Sequence, residues 1–216
     1  MHLPEAFAER NVDVLRRLIA AHPFAAWIVP HADGADANHL PWLHDPLRGE
    51  YGTLAGHVAR ANSVWQRLAD AGESLVIFQG PEHYITPSWY PSKHVTGKAV
   101  PTWNYAVVHC RGRAVIRDDI DWKRRHLEAL TETHESSQAL PWKMGDAPSD
   151  YLEQMMRGIV GIEIELRSID GKWKMGQNRI ATDRRGVIAG LEALANPRAS
   201  ATAHEMEIRL LPPSVP

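Results

Sequence analysis

Three residues stand out for what they could do chemically: His57, Arg60 and Asn62, close together at the entry to the helix-forming run NSVWQRLADAG. A helix N-terminus presents unpaired backbone N–H groups and the positive end of the helix dipole. An imidazole, a guanidinium and a carboxamide gathered there form a donor set suited to a phosphate ester. An ordinary capped helix with a solvated arginine would have the same sequence, so the two readings differ only in where Arg60 points. A second group is aromatic. Trp89, Tyr90, Trp103, Asn104 and Tyr105 crowd one stretch and give flat, hydrogen-bonding surfaces of the kind that line a pocket for a planar ligand, although a barrel core would use them equally well. A third group, Lys172, Lys174, Gln177, Asn178 and Arg179, can hold an anion or the edge of a heterocycle, or simply be solvated. His39, alone in a strand-like run, can face a ligand or serve as a satisfied structural residue. His126, His134 and Glu135 match no established zinc spacing, and no metal site is assigned.

These side chains must be positioned by a β core. Residues 74–110 contain three apolar or aromatic runs that alternate at period two. They are broken by Gly80-Pro81, Pro87 and a polar turn at 92–97, and so predict consecutive antiparallel strands. Ahead of them, Val12, Leu15, Leu18 and Ile19 mark a helix over 11–21 that His22-Pro23 stops. PFAAWIVP and ANHLPWL flank a HADGAD turn and read as a hairpin. A strand over 51–57 then runs into a helix starting at Asn62 or Ser63, which buries Val64, Trp65 and Leu68. Further on, residues 118–134 predict an amphipathic helix led by Asp118 and Asp119 and burying Ile120, Leu127 and Leu130. Residues 136–150 read as a long surface loop, followed by a short helix from Tyr151 to Arg157. IVGIEIELRSIDGKWKM predicts a second hairpin turning at Asp170-Gly171, and Asp183 caps a last helix through Leu194. Residues 1–196 are expected to form one principal domain, with 197–216 as a tail or arm.

Composition narrows the function classes. A chain of 216 residues buries enough apolar surface to fold without disulfides or metals, and one cysteine, Cys110, excludes a disulfide framework or a multi-cysteine metal site. A net charge of -2 gives no general pull toward nucleic acid or anionic lipid. The start of the chain, MHLPEAFAERN, does not resemble a secretory leader. No segment approaches the roughly 20 apolar residues that span a bilayer, so a cytoplasmic protein with no membrane partner is expected. GxGxxG, the P-loop lysine motif and the GxSxG elbow are all absent. So is a paired helix-turn-helix with a basic second helix, which leaves sequence-specific DNA reading unsupported by the residues themselves.

Five blocks in order, HLPWL at 39–43, GHVARANSVW at 56–65, VIFQGPEHYITPSWY at 76–90, VPTWNYAVVH at 100–109 and GKWKMGQNR at 171–179, resemble the PaiB family of FMN-binding negative transcriptional regulators. The resemblance covers the chain through Leu194. It implies a mainly β fold with flanking helices, the six-stranded antiparallel split β-barrel shared with pyridoxamine-phosphate oxidases. It also implies a homodimer with FMN at the subunit interface. Carried onto this sequence, it places the flavin phosphate at His57, Arg60 and Asn62, and sets His39 and Leu40 on the strand beside the isoalloxazine. Trp89, Trp103 and Asn104 become candidates for the ring pocket. Lys174, Gln177, Asn178 and Arg179 can reach the flavin or the partner subunit. Gly176 departs from the family's usual Ser and removes a hydroxyl. Beside the regulator, the resemblance leaves open an FMN-dependent oxidoreductase and a haem or flavin carrier. The histidines permit axial ligation, but none is singled out by spacing.

Overall fold

The strand-forming runs join in one eight-stranded sheet in the computed structural model, which describes residues 1–210. In chain order, β1 (Ala8–Glu9) precedes α1 (Val12–Ala21), and β2 (Phe24–His31) with β3 (Gly34–Pro41) makes the first hairpin. β4 (Leu43–Asp45), β5 (Thr53–Ala59), β6 (Ser74–Ile85), α2 (Pro91–Thr96) and β7 (Thr102–Arg117) follow. α3 (Ile120–Glu135), α4 (Ser149–Arg157), β8 (Ile159–Lys174), α5 (Ala181–Glu192) and α6 (Pro197–Ile208) complete the series. The strands lie in the order β3-β2-β6-β7-β8-β5-β4, with β1 beside β8. β2 pairs antiparallel with β3 and β6, and β5 with β4 and β8. Six strands of at least seven residues, β2, β3, β5, β6, β7 and β8, match the six expected, and β1 and β4 add two- and three-residue pieces.

The chain falls into two compact units, each of which takes a share of β6, β7 and β8. The first holds Met1–Ala21, Gln79–Val108 and Asp170 onward. There α5 packs on α6, and Trp89 sits on the glycine face of α5, where a Cβ on Gly190 would lie 2.4 Å from the indole. The second holds His22–Phe78 and His109–Ile169. Its core includes Trp27 packed edge-on against Trp42 (5.8 Å, 83°), with Phe78, Leu54, Ile162, Ile164 and Met156. Each such side chain contributes roughly 1.5–3 kcal/mol on burial. Cys110 of β7 is fully buried in this unit.

Several expectations change. β8 runs straight through Asp170-Gly171 as one 16-residue strand. Gly171 is there for room, because a Cβ would meet Leu15 Cδ2 at 2.1 Å. The 74–110 stretch gives two strands, not three. Its middle is a 3-10 turn (Pro87–Trp89) followed by α2, closed by Gly97 at φ 66°, so Trp89 and Tyr90 lie off the sheet. The helix after Asn62 is a five-residue 3-10 turn, Ser63–Arg67, which buries Val64 and Leu68 and leaves Trp65 half-buried. α3 buries Lys123 and His126, while Ile120 is exposed and Leu127 and Leu130 are half-buried. The 136–150 loop contains a 3-10 turn (Met144–Asp146) and the start of α4. Asp183 lies inside the first turn of α5 and accepts from Ser92 N and Oγ, while Ile180 holds the cap position. The expected tail begins with α6, capped by Asn196 with Pro197 at its first position and burying Ala199, Ala203 and Met206. The last six residues of that tail, 211–216, lie outside the described residues.

Candidate functional site

The sequence candidates divide between the units, His39, Leu40, His57, Arg60 and Asn62 in the second and the other seven in the first. At the end of β5, Arg60 carries a dense set of bonds. Its Nε donates to Arg157 O at 2.7 Å, and its Nη2 donates to Ile159 O at 3.1 Å and to Asp118. Lys123, 3% exposed, donates to Met156 O and pairs with the same Asp118 at 2.5 Å. Two cations thus cap carbonyls at the C-terminus of α4, where the helix dipole is negative. The Arg60 hydrogen bond, then Lys123, holds the Asp118 carboxyl below its ordinary range. Asn62 caps the 3-10 turn through Val64 N and donates to Asn38 at 2.7 Å. A turn this short offers little dipole, so attraction of an anion here comes from charged side chains and not from the helix end. A cavity of about 610 Å³ opens beside Arg60, and its walls carry Arg60, Lys123, Arg124 and Arg157 against Asp118 and Glu153, an excess of two positive charges.

His57 points from β5 toward α3, its Nδ1 at 3.1 Å from His126 Nε2. Burial lowers the pKa of His57; burial, then the charge of His57, brings His126 to about 4. Both rings are neutral at pH 7, so His57 brings no positive charge to a phosphate. His39 is exposed and stacks on Phe24 at 6.3 Å, while Leu40 turns inward and would meet a Cβ on Gly56 at 2.9 Å.

In the first unit, Trp103 is 49% exposed and meets Tyr84, 42% exposed, edge-on at 6.2 Å. Lys174 donates to Thr102 Oγ1 (2.5 Å) and Trp103 O (2.6 Å), both neutral acceptors. Burial, then the nearby charges of Lys172 and Arg179, lowers its pKa. Asn104 is buried and donates to Met206 Sδ at 3.2 Å. Gln177 closes its own turn, accepting from Met175 N and donating to Trp173 O, and Asn178 is exposed in that turn. Arg179 lies over Tyr90 at 5.0 Å. Gly176 has φ 76°, a left-handed conformation that a serine adopts at a cost, which explains glycine at this position.

The sequence did not single out Arg48, Arg117, Glu163 or Trp122. Glu163 accepts from Arg48 Nη1 (2.9 Å) and Nη2 (3.0 Å), and from Arg117 Nη2 (2.7 Å). Burial alone would raise its pKa, but the two arginines outweigh that and hold it at about 2. The partners stand 115 and 46 residues away, a separation no local pattern reveals. The GIEIEL alternation in β8 is the nearest available signal, since it places Glu163 among apolar neighbours. Among the described residues there is no group of three or more His, Cys, Asp or Glu side chains able to hold a metal, and no helix long and apolar enough to cross a membrane.

Residues 1–168 match a family model described as "Putative FMN-binding domain". The chain is 31% identical over 210 residues to "Protease synthase and sporulation protein PAI 2" of Bacillus subtilis, covering 97% of this chain and 98% of that one. It is 32% identical over 229 residues to an uncharacterized protein of Emericella nidulans, covering 90% and 91%. The structure of the flavocytochrome Anf3 from Azotobacter vinelandii is similar in fold, with a TM-score of 0.58 at 11% identity over 80% of this chain and 72% of that one.

Proposed function

The chain belongs to the FMN-binding domain family, as a split-barrel protein of the PaiB type whose cofactor is FMN, and we propose that it binds the flavin phosphate at the cationic cavity beside Arg60. The observation that carries this placement is the surplus of two positive charges on the cavity wall. The residues present fit a phosphate monoester. The Arg124 side chain makes no hydrogen bond or ion pair among the described residues, and the Arg157 side chain shares only Glu153 at 3.3 Å. Arg60 and Lys123 hold the wall in shape and add field, while Arg124 and Arg157 are placed to donate. Asn62 fixes the strand end through Asn38, and Trp65 Nε1 donates to Arg60 O. The half-exposed rings of Trp103 and Tyr84, with Lys174 beside them, are the surface this reading offers to a second copy in a homodimer.

Bound FMN would supply electron transfer, and the chain's part is to hold and orient it. We therefore read the protein as a flavin-dependent oxidoreductase. The second reading, a flavin-linked negative regulator of transcription, draws on the PaiB resemblance and on the Bacillus relative, named for protease synthesis and sporulation. α5 and α6, joined by a short link, put a helix with Arg198 against Glu205 and Glu207 second, a poor match to a basic recognition helix.

Paired titrations with FMN and riboflavin test the placement. Arg124→Ala should weaken FMN by about 1.5–3 kcal/mol and leave riboflavin, which lacks the phosphate, unchanged. Equal FMN affinity in both proteins would reject the site. Reduction by NADH or NADPH without DNA retention at near-physiological salt supports the oxidoreductase, and salt-resistant operator binding supports the regulator.

A further inference from the structure

The flank of α3 carrying Trp122, Arg125, His126 and Ala129 faces a different cavity, of about 850 Å³, also in the second unit. The flavin placement makes no use of it. One half of its wall is charged. Glu163, with 8% of its side chain exposed, accepts four hydrogen bonds from Arg48 and Arg117 and one from Trp122 Nε1 at 3.3 Å. Two guanidinium groups therefore share the Glu163 carboxylate, with the Asp45 and Glu165 charges also near Arg48, and the Arg48 and Arg117 side chains stay 53% and 41% exposed. The wall's other carboxylates each turn an oxygen to backbone, Asp45 to Leu47 N and Asp119 to Trp122 N. The other half is flat. Trp122 lies parallel on His126 at 5.0 Å and 18°, with Leu43 and Ala55 beside them. The His126 ring, 5% exposed, bonds His57 through Nε2 and leaves Nδ1 buried with no hydrogen-bond partner.

We infer that this cleft binds a second small molecule, a flat ring carrying one anionic group, with the anion on the open edges of Arg48 and Arg117 and the ring against Trp122. A guanidinium already forked onto Glu163 is fixed in its plane, so its outer N–H groups are pre-aimed and lose little freedom when an oxyanion arrives. The indole supplies a rigid stacking face, and the volume falls within the usual range for small-molecule sites. The inference stands independently of the flavin phosphate, which lies on the opposite flank of the helix.

The test titrates 2-naphthoate and its uncharged amide, 2-naphthamide, into the full-length protein by calorimetry. Saturable binding of naphthoate is expected, about tenfold or more tighter than the amide, with Arg117→Gln removing that preference and leaving the amide's weak binding in place. If Arg117→Gln does not fold, Arg48→Gln makes the same comparison from the more exposed side chain. Equal affinity for the two probes, no saturable naphthoate binding to folded protein, or one-site competition between naphthoate and FMN would each overturn the inference. FMN affinity on the same samples separates the two readings. Naphthoate binding without FMN binding keeps the cleft and rejects the flavin placement, and FMN binding without naphthoate binding does the reverse.

Discussion

The two flanks of α3 solve the same problem in different ways. On one, Lys123 is turned inward with Arg60 and tied to helix-end carbonyls and Asp118, and the cavity beyond keeps an excess of positive charge. On the other, the carboxylate is the buried partner, clamped by two half-open arginines beside a stacked indole and imidazole. Engagement, more than residue type, separates structural cations from those free to meet a ligand. Arg60, the strongest phosphate-binding candidate by sequence, is among the most heavily bonded, while the side chain of Arg124 one turn into the helix carries no bond among the described residues.

Acid should expose the difference most strongly. The native pKa of His126, about 4, lies below the ordinary 6.5, so below pH 6.5 the unfolded chain takes up a proton that the native ring refuses. Stability is therefore complete above about pH 6.5 and falls by roughly 3 kcal/mol toward pH 4. His57, shifted the same way, adds to this loss. Denaturation midpoints across that range should decline, and a flat profile would break the comparison. Glu163 acts in a lower window, because its native pKa of about 2 lies below the ordinary 4.5 and its contribution disappears only as pH falls between those values. Next in size, Glu163→Gln leaves two arginines without their counter-charge and should cost about 2–3 kcal/mol in urea denaturation, less than a fully buried pair because the guanidinia are half exposed. Arg60→Ala should cost about 1–2 kcal/mol through the uncapped carbonyls of Arg157 and Ile159. Smallest of all, Arg124→Ala should stay within about 0.5 kcal/mol in stability yet reduce the preference for FMN over riboflavin. If it unfolds the protein as readily as Arg60→Ala, the two cations do not differ as described.

Much of the frame was readable from residue order alone. The β2–β3 hairpin, α1 and its Leu15, Leu18 and Ile19 stripe, and the acidic start of α3 at Asp118 and Asp119 all follow from local patterns whose partners lie close in sequence. Local signals failed where distant packing decided the outcome. Asp170-Gly171 has the composition of a turn, but Leu15 requires the glycine and the strand continues. The apolar period of α3 pointed to Ile120, Leu127 and Leu130. The buried face instead belongs to Lys123 and His126, whose partners Met156 and His57 come from elsewhere in the chain. The Arg48, Arg117 and Glu163 cluster assembles from three separated segments and leaves no contiguous trace.

The single thiol of the chain, sealed inside β7, has a practical consequence. A disulfide reagent can reach it only when the surrounding sheet parts. The rate of thiol labelling in native buffer therefore counts opening events directly, and a ligand that clasps this unit should slow the labelling clock.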